Sequence, residues 1–564
     1  MKKIYLTTAL IAMTISANSA SDKATYIQAL EKENGIKYNK IDNTYASYIT
    51  SMCYTKTKDN KSGKVFNPCY SCHTNGKEPN YIDDADLQAS YNFPTEILNN
   101  PFKNLFKDRS KEVGKISDKE ILDYINQSNY FDADHTIALA KNLPKDWHGY
   151  RPDCYYNFDK EGFDHSPDGN YTGWRAFRYY PFLGTFWPTN GSTDDVLIRL
   201  SKPFRMDKNG KFDKNIYKLN LSIVEAIVKQ KDIKLPHKID ESLYGVDLNQ
   251  DGKIDMAQKV VFDSSKYFTH MSYVGAAKKL LKEHKVHLAG GLFPEGTEFL
   301  HSVRYVGWDD KQKHIKMANR FKELRYAKKL YWSSYSELLR DADAELREQN
   351  VLGTDQTESE VWYGDYEHGI KSGTGWIYQG FIEDKKGALR PQTYEETIGC
   401  MGCHAGVGAP TDTIISFPRK FEGIDMHSVE YGWNHWSQKS LIGVPEPKVL
   451  YKGYGKQYEY SFYLLHNPTG NEFRDNMEVR DKFFDKDGKP KEDMFNKLHK
   501  DISVALLPSL KRALQMDKGY KVLVGEQSFI YGREGNAKPI KNVYKKIDNY
   551  HQSTGIEKII LHDN

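Results

Sequence analysis

Two copies of the pentapeptide Cys-x-x-Cys-His constrain this chain more than any other feature of its 564 residues. The first copy runs from Cys69 to His73 and the second from Cys400 to His404. Two thiols at this spacing can reach the two vinyl groups of one porphyrin and form thioethers, and the adjacent histidine then lies under the ring with a nitrogen for the iron. Chance placement of the chain's cysteines and histidines would give roughly 0.002 such matches. The motifs therefore predict covalent attachment of two haem groups.

A single Cys-x-x-Cys has two other interpretations, a redox-active thiol pair or half of a zinc site. A tetrahedral zinc ion would have to take its ligands from both motifs. It would also give no reason for a histidine directly after each second cysteine. These alternatives therefore account for less of the pattern than haem attachment does.

The first 20 residues have the layout of a secretory signal peptide. Lys2 and Lys3 precede an apolar run from Ile4 to Ile15, and small residues follow at positions 16–20. The run is shorter than the roughly 18 apolar residues that a spanning helix needs, and no later stretch reaches that length. We therefore expect an exported, soluble mature chain without a membrane span.

The charge balance excludes some classes of partner. Lysine and arginine total 80 and aspartate and glutamate 76, with no basic block of the kind that binds nucleic acid or anionic lipid. The length suggests three or four domains, far more chain than a small electron shuttle needs for two haems. The excess favours an enzyme or a receptor-like module over a simple electron wire.

The predicted fold class is α+β and multidomain, largely helical and irregular around two haems, with a mixed α/β insert. Within the insert, a strand is expected at Val196–Ile198 and a helix at Leu221–Val228. The predicted divisions are a signal peptide (1–20), a first haem region (21–193), the insert with a calcium-type loop (194–310), a second haem region (311–440) and a C-terminal region of unknown role (441–564).

The insert contains a segment with the spacing of an EF-hand calcium loop. Oxygen-bearing side chains occupy positions one, three, five and nine, and Gly252 at position six permits the sharp turn. At position twelve a glutamine replaces the bidentate glutamate, so we expect weak binding or a shell completed by water. The alternative is a solvated turn. The predicted calcium ligands are Asp247, Asn249, Asp251, Lys253, Asp255 and Gln258.

The sequence leaves the roles of several other residues open. Cys53 and Cys154 remain outside the motifs, and in an oxidising compartment they are predicted to form a disulfide, with buried free thiols as the alternative. Arg419 and Lys420 are candidates to pair with haem propionates. The sixth iron ligand stays open between several residues: His135, His148, His270, Met271, His301, Met426, His427 and His435.

At its two motifs the chain resembles c-type cytochromes. The resemblance covers those ten residues and the exported context, and it implies a periplasmic location. It also implies thioether bonds at Cys69, Cys72, Cys400 and Cys403, with His73 and His404 as proximal iron ligands. Bacterial di-haem peroxidases also carry two such motifs, but their Arg-Thr-Pro stretch after a haem motif is not found here.

Three functions are compatible with these features. The first is a periplasmic di-haem electron-transfer protein whose partners are small cytochromes or a quinol-linked donor. The second is a haem-dependent oxidoreductase, with one open iron that acts on peroxide or a small sulfur or nitrogen species. The third is a binding or scaffold module with redox-passive haems. The sixth iron ligand decides between the first two, because a filled position favours electron transfer and an open one favours catalysis.

Overall fold

Short helices alternate with antiparallel strands along the chain. The computed structural model describes residues 22–41, 49–59, 62–93, 95–265, 269–347, 363–404, 406–422, 432–467 and 476–562. The α-helices in these ranges are α1 Asp22–Asn34, α2 Ser110–Val113, α3 Asp118–Asn126, α4 Ala138–Asn142, α5 Lys214–Lys229, α6 Ala276–Lys282, α7 Tyr335–Arg347, α8 Tyr394–Met401, α9 Glu459–His466, α10 Met477–Phe483, α11 Glu492–Leu498, α12 Ser503–Leu506 and α13 Leu510–Glu526. The strands are β1 Ser90–Tyr91, β2 Phe163–His165, β3 Tyr171–Phe177, β4 Thr193–Arg199, β5 Ile233–Asp240, β6 Met256–Val260, β7 Glu298–Asp309, β8 His314–Lys329, β9 Gly364–Asp365, β10 Gly369–Lys371, β11 Trp376–Glu383, β12 Leu389–Pro391, β13 Lys448–Tyr451, β14 Gly455–Tyr458 and β15 Gln552–Ser553.

The largest sheet has nine strands in the order β2-β3-β4-β7-β8-β11-β10-β9, and β12 also pairs with β11. Its longest pairing is the antiparallel hairpin of β7 and β8. The Asp309 carboxylate accepts hydrogen bonds from the backbone N–H groups of Lys311 and Gln312, both at 2.9 Å. Lys313 then adopts a left-handed conformation with φ of 55°. Side-chain capping of the turn in this way fixes the register of the two strands.

Both faces of this sheet are covered. In β4, Val196 and Ile198 belong to one hydrophobic core, which includes Leu219 and Ile227 of α5. Leu197 between them belongs to a second core on the opposite face. Successive residues of a strand point to opposite faces, so a strand buried on both sides is an apolar run without alternation.

The predicted fold class is wrong in its largely helical and irregular character, because a nine-stranded antiparallel sheet lies at the centre of the described chain. The strand predicted at 196–198 lies in β4, and the helix predicted at 221–228 lies in α5, so these two predictions are confirmed. The sheet crosses the expected boundaries at 193–194 and 310–311. The division of the chain into domains stays a prediction.

The end of the chain returns to the first motif. Strand β15 pairs with β1, and His562 donates its backbone N–H to the Thr74 hydroxyl at 3.1 Å. The His562 ring nitrogen Nε2 lies 3.2 Å from the Tyr70 carbonyl oxygen. Residues from the two ends of the sequence therefore cover one motif together.

None of the helices in the described ranges combines the length and the apolar character needed to cross a bilayer. The predicted signal peptide, residues 1–20, lies outside the described residues.

Candidate functional site

The first motif forms one tight turn of helix. A 3₁₀-helix runs from Cys69 to Ser71 after Pro68. The backbone N–H groups of Cys72 and His73 both donate to the Cys69 carbonyl, at 3.1 and 3.0 Å. This turn places the two thiols and the imidazole close together on a short, rigid segment.

The imidazole of His73 is oriented by a carboxylate. Its Nδ1 lies 2.7 Å from Oδ2 of Asp84, which is 2% exposed. Burial lowers the pKa of His73, but the negative charge of Asp84 outweighs it and the net pKa is raised. No described residue forms a hydrogen bond with Nε2 of His73. The ring is therefore held through one nitrogen, as in histidines that bind a metal through the other.

The second motif lies at the end of helix α8. This helix begins with a capping box, in which the Thr393 hydroxyl accepts from the Glu396 backbone and the Glu396 carboxylate accepts from the Thr393 backbone. Cys400 lies in its last turn, and residues Gly402–His404 continue as a 3₁₀-helix. The cap, one to two helical turns before Cys400, therefore fixes where the helix that carries the motif begins.

His404, like His73, is held through Nδ1, but its partner is a backbone carbonyl and not a carboxylate. Its Nδ1–H donates to the Thr413 carbonyl at 2.7 Å. Burial, assisted by the positive charges of Arg325 and His301, lowers the pKa of His404 to about 4. The imidazole is therefore neutral at neutral pH, and Nε2 carries a lone pair.

The turn that supplies this carbonyl is itself anchored. Asp412 and Thr413 both have left-handed backbones, with φ of 44° and 59°. Non-glycine residues seldom adopt this conformation, so the surroundings must hold it. The Asp412 carboxylate is buried and accepts a hydrogen bond from Lys329 at 2.7 Å.

The fold brings the two motifs together although they lie far apart in the sequence. The Ala409 backbone donates to the Cys72 carbonyl at 3.2 Å. The Asn80 side-chain amide donates to the carbonyls of Val407 and Pro410, each at 3.0 Å. The thiols of Cys72 and Cys403 are close enough to interact electrostatically. The two motifs therefore form one site.

The thiols of the first motif are in an apolar environment. Burial raises the pKa of Cys69 to about 12 and raises that of Cys72 well above its ordinary value. Both side chains are therefore protonated thiols in this environment. Within the described part of the chain, no three His, Cys, Asp or Glu side chains are arranged to hold a metal ion.

Two cavities open beside the second motif. One measures about 240 Å³ and the other about 80 Å³, and Cys400, His404 and Arg325 border both. The larger one has aromatic walls that include Trp187 and Tyr520. The indole Nε1 and phenol oxygen of these two residues are buried without a hydrogen-bond partner among the described residues. Buried polar atoms are normally hydrogen-bonded, so these two atoms are exceptions among the residues that border the cavity.

Two arginines give the larger cavity a basic edge. Arg325 Nε and Arg533 Nη1 both donate to the Glu323 carboxylate, at 2.9 and 2.7 Å. Arg533 Nη1 also lies 2.9 Å from the Cys400 sulfur. Two cations share one anion at this edge, and Lys322, Asp194, Glu395 and Glu534 also border the cavity. The arginine side chains have the planar geometry that pairs with carboxylates.

Sequence reasoning chose other cations for this role. Arg419 forms a two-pronged pair with Glu459, at 2.7 and 2.8 Å, and Lys420 pairs with Glu225 at 3.0 Å. Neither lines the two cavities at the second motif. The propionate contact of Arg419 and Lys420 therefore stays a prediction, whereas Arg325 and Arg533, which no local pattern connects to the motif, border the cavities.

Glu323 should make stability sensitive to acid. Burial raises its pKa, but the charges of Arg325 and Arg533 outweigh this and lower it to about 2. A carboxyl whose pKa is lower in the folded than in the unfolded state stabilises the fold fully above the unfolded value, near 4.5, and loses this contribution as the pH falls towards 2. We expect Glu323→Gln to be less stable than the parent at pH 7 and to lose less stability between pH 5 and 2. Urea unfolding across this pH range measures both effects; parallel curves for the two proteins would contradict the assignment.

The predicted disulfide is absent. Cys53 and Cys154 are free thiols in the structure, and they lie in separate hydrophobic clusters. Cys154 is fully buried against the central sheet, whereas Cys53 packs near the first motif and interacts electrostatically with Cys69. The alternative of buried free thiols describes them better.

The candidates for a sixth ligand are now separated by position. His135, His148 and His270 are exposed, and Met271 is buried in the core with α5. His435 has both ring nitrogens in hydrogen-bonding contact, with Ser437 and Asp195. Met426 and His427 lie outside the described residues. Of the described candidates, His301 borders a cavity at the second motif.

The calcium-type loop has the internal bonds of an ordered turn. Asp247 Oδ2 accepts from the Gly252 backbone at 2.8 Å, and Gly252 has φ of 82°. A buried carboxylate that the sequence did not single out, Glu241, accepts from the backbones of Leu248 and Asp255 at 2.6 and 3.0 Å. The other Asp247 oxygen, Oδ1, is buried with no hydrogen-bond partner among the described residues.

The remaining predicted loop ligands are less convergent. Asn249 and Asp251 accept backbone hydrogen bonds within the loop. Gln258 lies on the exposed side of β6. Asp255 donates its backbone to Glu241 and Lys253 its backbone to Asp251. The calcium site stays a prediction.

Comparison with known proteins places the chain in a family. Residues 36–503 match a family described as "-like lipoprotein". A relative from Aquifex aeolicus (strain VF5), named as an uncharacterized lipoprotein, is 31% identical over 572 residues, which cover 90% of each protein. The chain belongs to this lipoprotein family. No solved structure matches it. As a member of a lipoprotein family, the chain is an exported protein.

Membership in the lipoprotein family corrects the predicted class. The identification as an exported di-haem c-type cytochrome is wrong, because the match over most of the chain is to lipoproteins. The electron-transfer function and the alternative oxidoreductase function are withdrawn with it. The descriptions of the family and of the relative name neither haem nor iron. The ten residues of the motifs were too small a part of the chain to define its family.

Proposed function

We propose that this member of the lipoprotein family is a periplasmic protein that binds two haem groups covalently, one at each Cys-x-x-Cys-His motif. The observation that carries the proposal is the equivalent arrangement of His73 and His404. Each is oriented through Nδ1, by Asp84 and Thr413 respectively, and no described residue hydrogen-bonds its Nε2. Membership in a lipoprotein family does not conflict with covalent attachment of haem. The family match concerns most of the chain, whereas the attachment concerns the two motifs.

The chemistry of attachment agrees with the burial of the thiols. Each S–H adds across a vinyl C=C bond, so that sulfur bonds to one vinyl carbon and the hydrogen goes to the other, with no oxidant needed. The resulting thioether is uncharged. It therefore avoids the desolvation cost that a thiolate at Cys69 or Cys72 would pay in this environment.

The residues around the second motif have separate roles in this proposal. Cys400 and Cys403 supply the thioether bonds, and His404 supplies the lone pair for the iron. The aromatic residues that line the larger cavity would pack against the macrocycle, and Arg325 and Arg533 would pair with its carboxylates. Bound haem would supply an iron centre whose properties depend on its axial ligands and burial.

The periplasm is the proposed location, because the chain is exported and its thiols must meet haem outside the cytoplasm. The predicted partners, small cytochromes or a quinol-linked donor, stay a prediction. A protein that only binds haem does not require these redox partners.

Covalent haem can be counted directly. The full chain should be exported in a bacterial host that attaches haem to Cys-x-x-Cys-His motifs, and then measured by intact mass and by the pyridine haemochrome spectrum. We expect two haems per chain that resist acid–acetone extraction. Replacing both cysteines of the second motif, Cys400→Ser with Cys403→Ser, should leave one. Cys154→Ser, which changes a cysteine outside both motifs, should retain two. A colourless chain, or haem that extracts fully, would refute the proposal.

We also propose that the loop from Asp247 to Gln258 binds calcium weakly. The supporting observation is Asp247 Oδ1, which is buried and lacks a hydrogen-bond partner among the described residues. A cation is the natural partner for such an oxygen, since calcium is bound by carboxylate, amide and carbonyl oxygens. The neutral Gln258 in place of glutamate removes one charge from the site.

Calcium should therefore raise the melting temperature of the chain, and Asp247→Asn should remove most of this increase. Calorimetric titration of calcium-free protein should show one site, with a dissociation constant on the order of 10⁻⁴–10⁻³ M. Asp485→Asn, in an exposed turn of similar composition, is the matched control and should behave like the parent. Identical calcium responses of the Asp247→Asn variant and the parent would rule out this site.

A further inference from the structure

We propose that His301 would be a second protein ligand, in addition to His404, for the iron of the haem held at the second motif. The inference rests on the proposed function and extends it, because it assigns a further residue of this chain to the haem iron. His301 is on the central strand β7, 99 residues before Cys400 in the sequence.

The position of His301 is the first argument. Its side chain borders the 80 Å³ cavity that His404 and Cys400 also border. The two imidazoles are near enough for the charge of one to affect the other. Both imidazoles therefore border one cavity, although one lies on a strand and the other at the end of a helix.

The hydrogen bonding of His301 is the second argument. Its Nε2 lies 3.1 Å from Oδ2 of Asp194, and no described residue forms a hydrogen bond with Nδ1. A carboxylate accepts the proton of Nε2–H, so Nδ1 is left with its lone pair. Asp194 is also fixed, since it is 8% exposed and accepts a hydrogen bond from the Tyr179 hydroxyl.

The strand position makes this ligand rigid. His301 pairs with Val196 of β4 on one side and with Arg325 of β8 on the other. The ring of Phe186 packs edge-on against the imidazole, with centroids 5.7 Å apart. A ligand on a central strand is held more precisely than one on a loop.

Two methionines are the alternatives at the larger cavity. Met52 accepts a hydrogen bond from the Thr185 hydroxyl through its sulfur, at 3.4 Å, and Met516 packs against Gly191. Both already fill contacts that would have to break before the sulfur could reach a metal. His301 needs no such rearrangement of its hydrogen bond.

Carbon monoxide binding to the reduced holoprotein tests the assignment. His301→Gln should keep two covalent haems but bind one more equivalent of carbon monoxide per chain than the parent, and added imidazole should reverse this. His301→Met should instead produce the absorption band of a sulfur–iron bond. His148→Gln, at an exposed histidine, should match the parent.

The outcomes separate the two proposals. A His301→Gln protein with two haems and the parental carbon monoxide stoichiometry would overturn the assignment of His301. The same gain from Met52→Leu or Met516→Leu, without a gain from His301→Gln, would move the ligand to that methionine. A parent chain without covalent haem would overturn the proposed function itself.

Discussion

Replacing Arg390 by methionine should destabilise the protein by about 3–5 kcal/mol, because it leaves a buried carboxylate without its partner. Arg390 forms a two-pronged pair with Glu396, at 2.7 and 2.8 Å, and the two side chains are 0% and 1% exposed. Burial raises the pKa of Glu396, but Arg390 outweighs it and the net pKa is lowered, so the carboxylate is charged. Gln527 accepts further hydrogen bonds from the guanidinium.

The effect should extend to the second motif, since Glu396 is also the capping residue of helix α8. Urea unfolding measures the loss of stability, and haem content after export measures the effect on the site. Lys386→Met is the matched control: Lys386 pairs with Glu33 at 2.9 Å but is 75% exposed, so we expect a change of less than about 1 kcal/mol. Equal effects of the two variants would show that the buried pair is not special.

Replacing Gly408 by alanine should cost about 3 kcal/mol and separate the two motifs. A Cβ atom at this position would lie 1.8 Å from the Thr74 carbonyl oxygen, which belongs to the backbone after the first motif and cannot move aside as a flexible side chain could. The Gly408 backbone also donates to Asp84, the residue that orients His73. One added methyl group should therefore disturb both motifs.

Gly525→Ala provides the control for the effect of adding a methyl group. Gly525 lies in helix α13, and a Cβ atom there would meet nothing within 4 Å. Alanine favours helix, so this variant should be stabilised by up to about 1 kcal/mol. Thermal unfolding of both variants gives the comparison. A Gly408→Ala protein as stable as the parent would contradict the close contact between the motifs.

The sequence predicts those structural features that depend on residues close together along the chain. The spacing of cysteines and histidine identified both motifs, and short apolar runs located β4 and α5. The nine-stranded sheet was missed, because strands buried on both faces, such as β4 with Val196, Leu197 and Ile198, lack the alternation that identifies strands. Their pairing joins segments more than a hundred residues apart, as β4 does with β7.

The partners within the site were missed for the same reason. Asp84, Thr413, Arg325 and Arg533 act on the motifs through contacts that the fold creates, and no spacing in the sequence connects them. His301 was one of eight equivalent candidates until the cavity distinguished it. Family membership, in turn, came from similarity across the whole chain, which a ten-residue pattern could not supply.

The return of the last residues to the first motif has a consequence for biogenesis. An exported polypeptide emerges with its amino end first, so the first motif reaches the new compartment before residues 552–562. Until those residues arrive, the motif lacks the pairing of β15 with β1 and the contacts of His562 with Thr74 and Tyr70. The surroundings of the first motif are therefore completed late in export, although the motif itself is among the early segments to emerge.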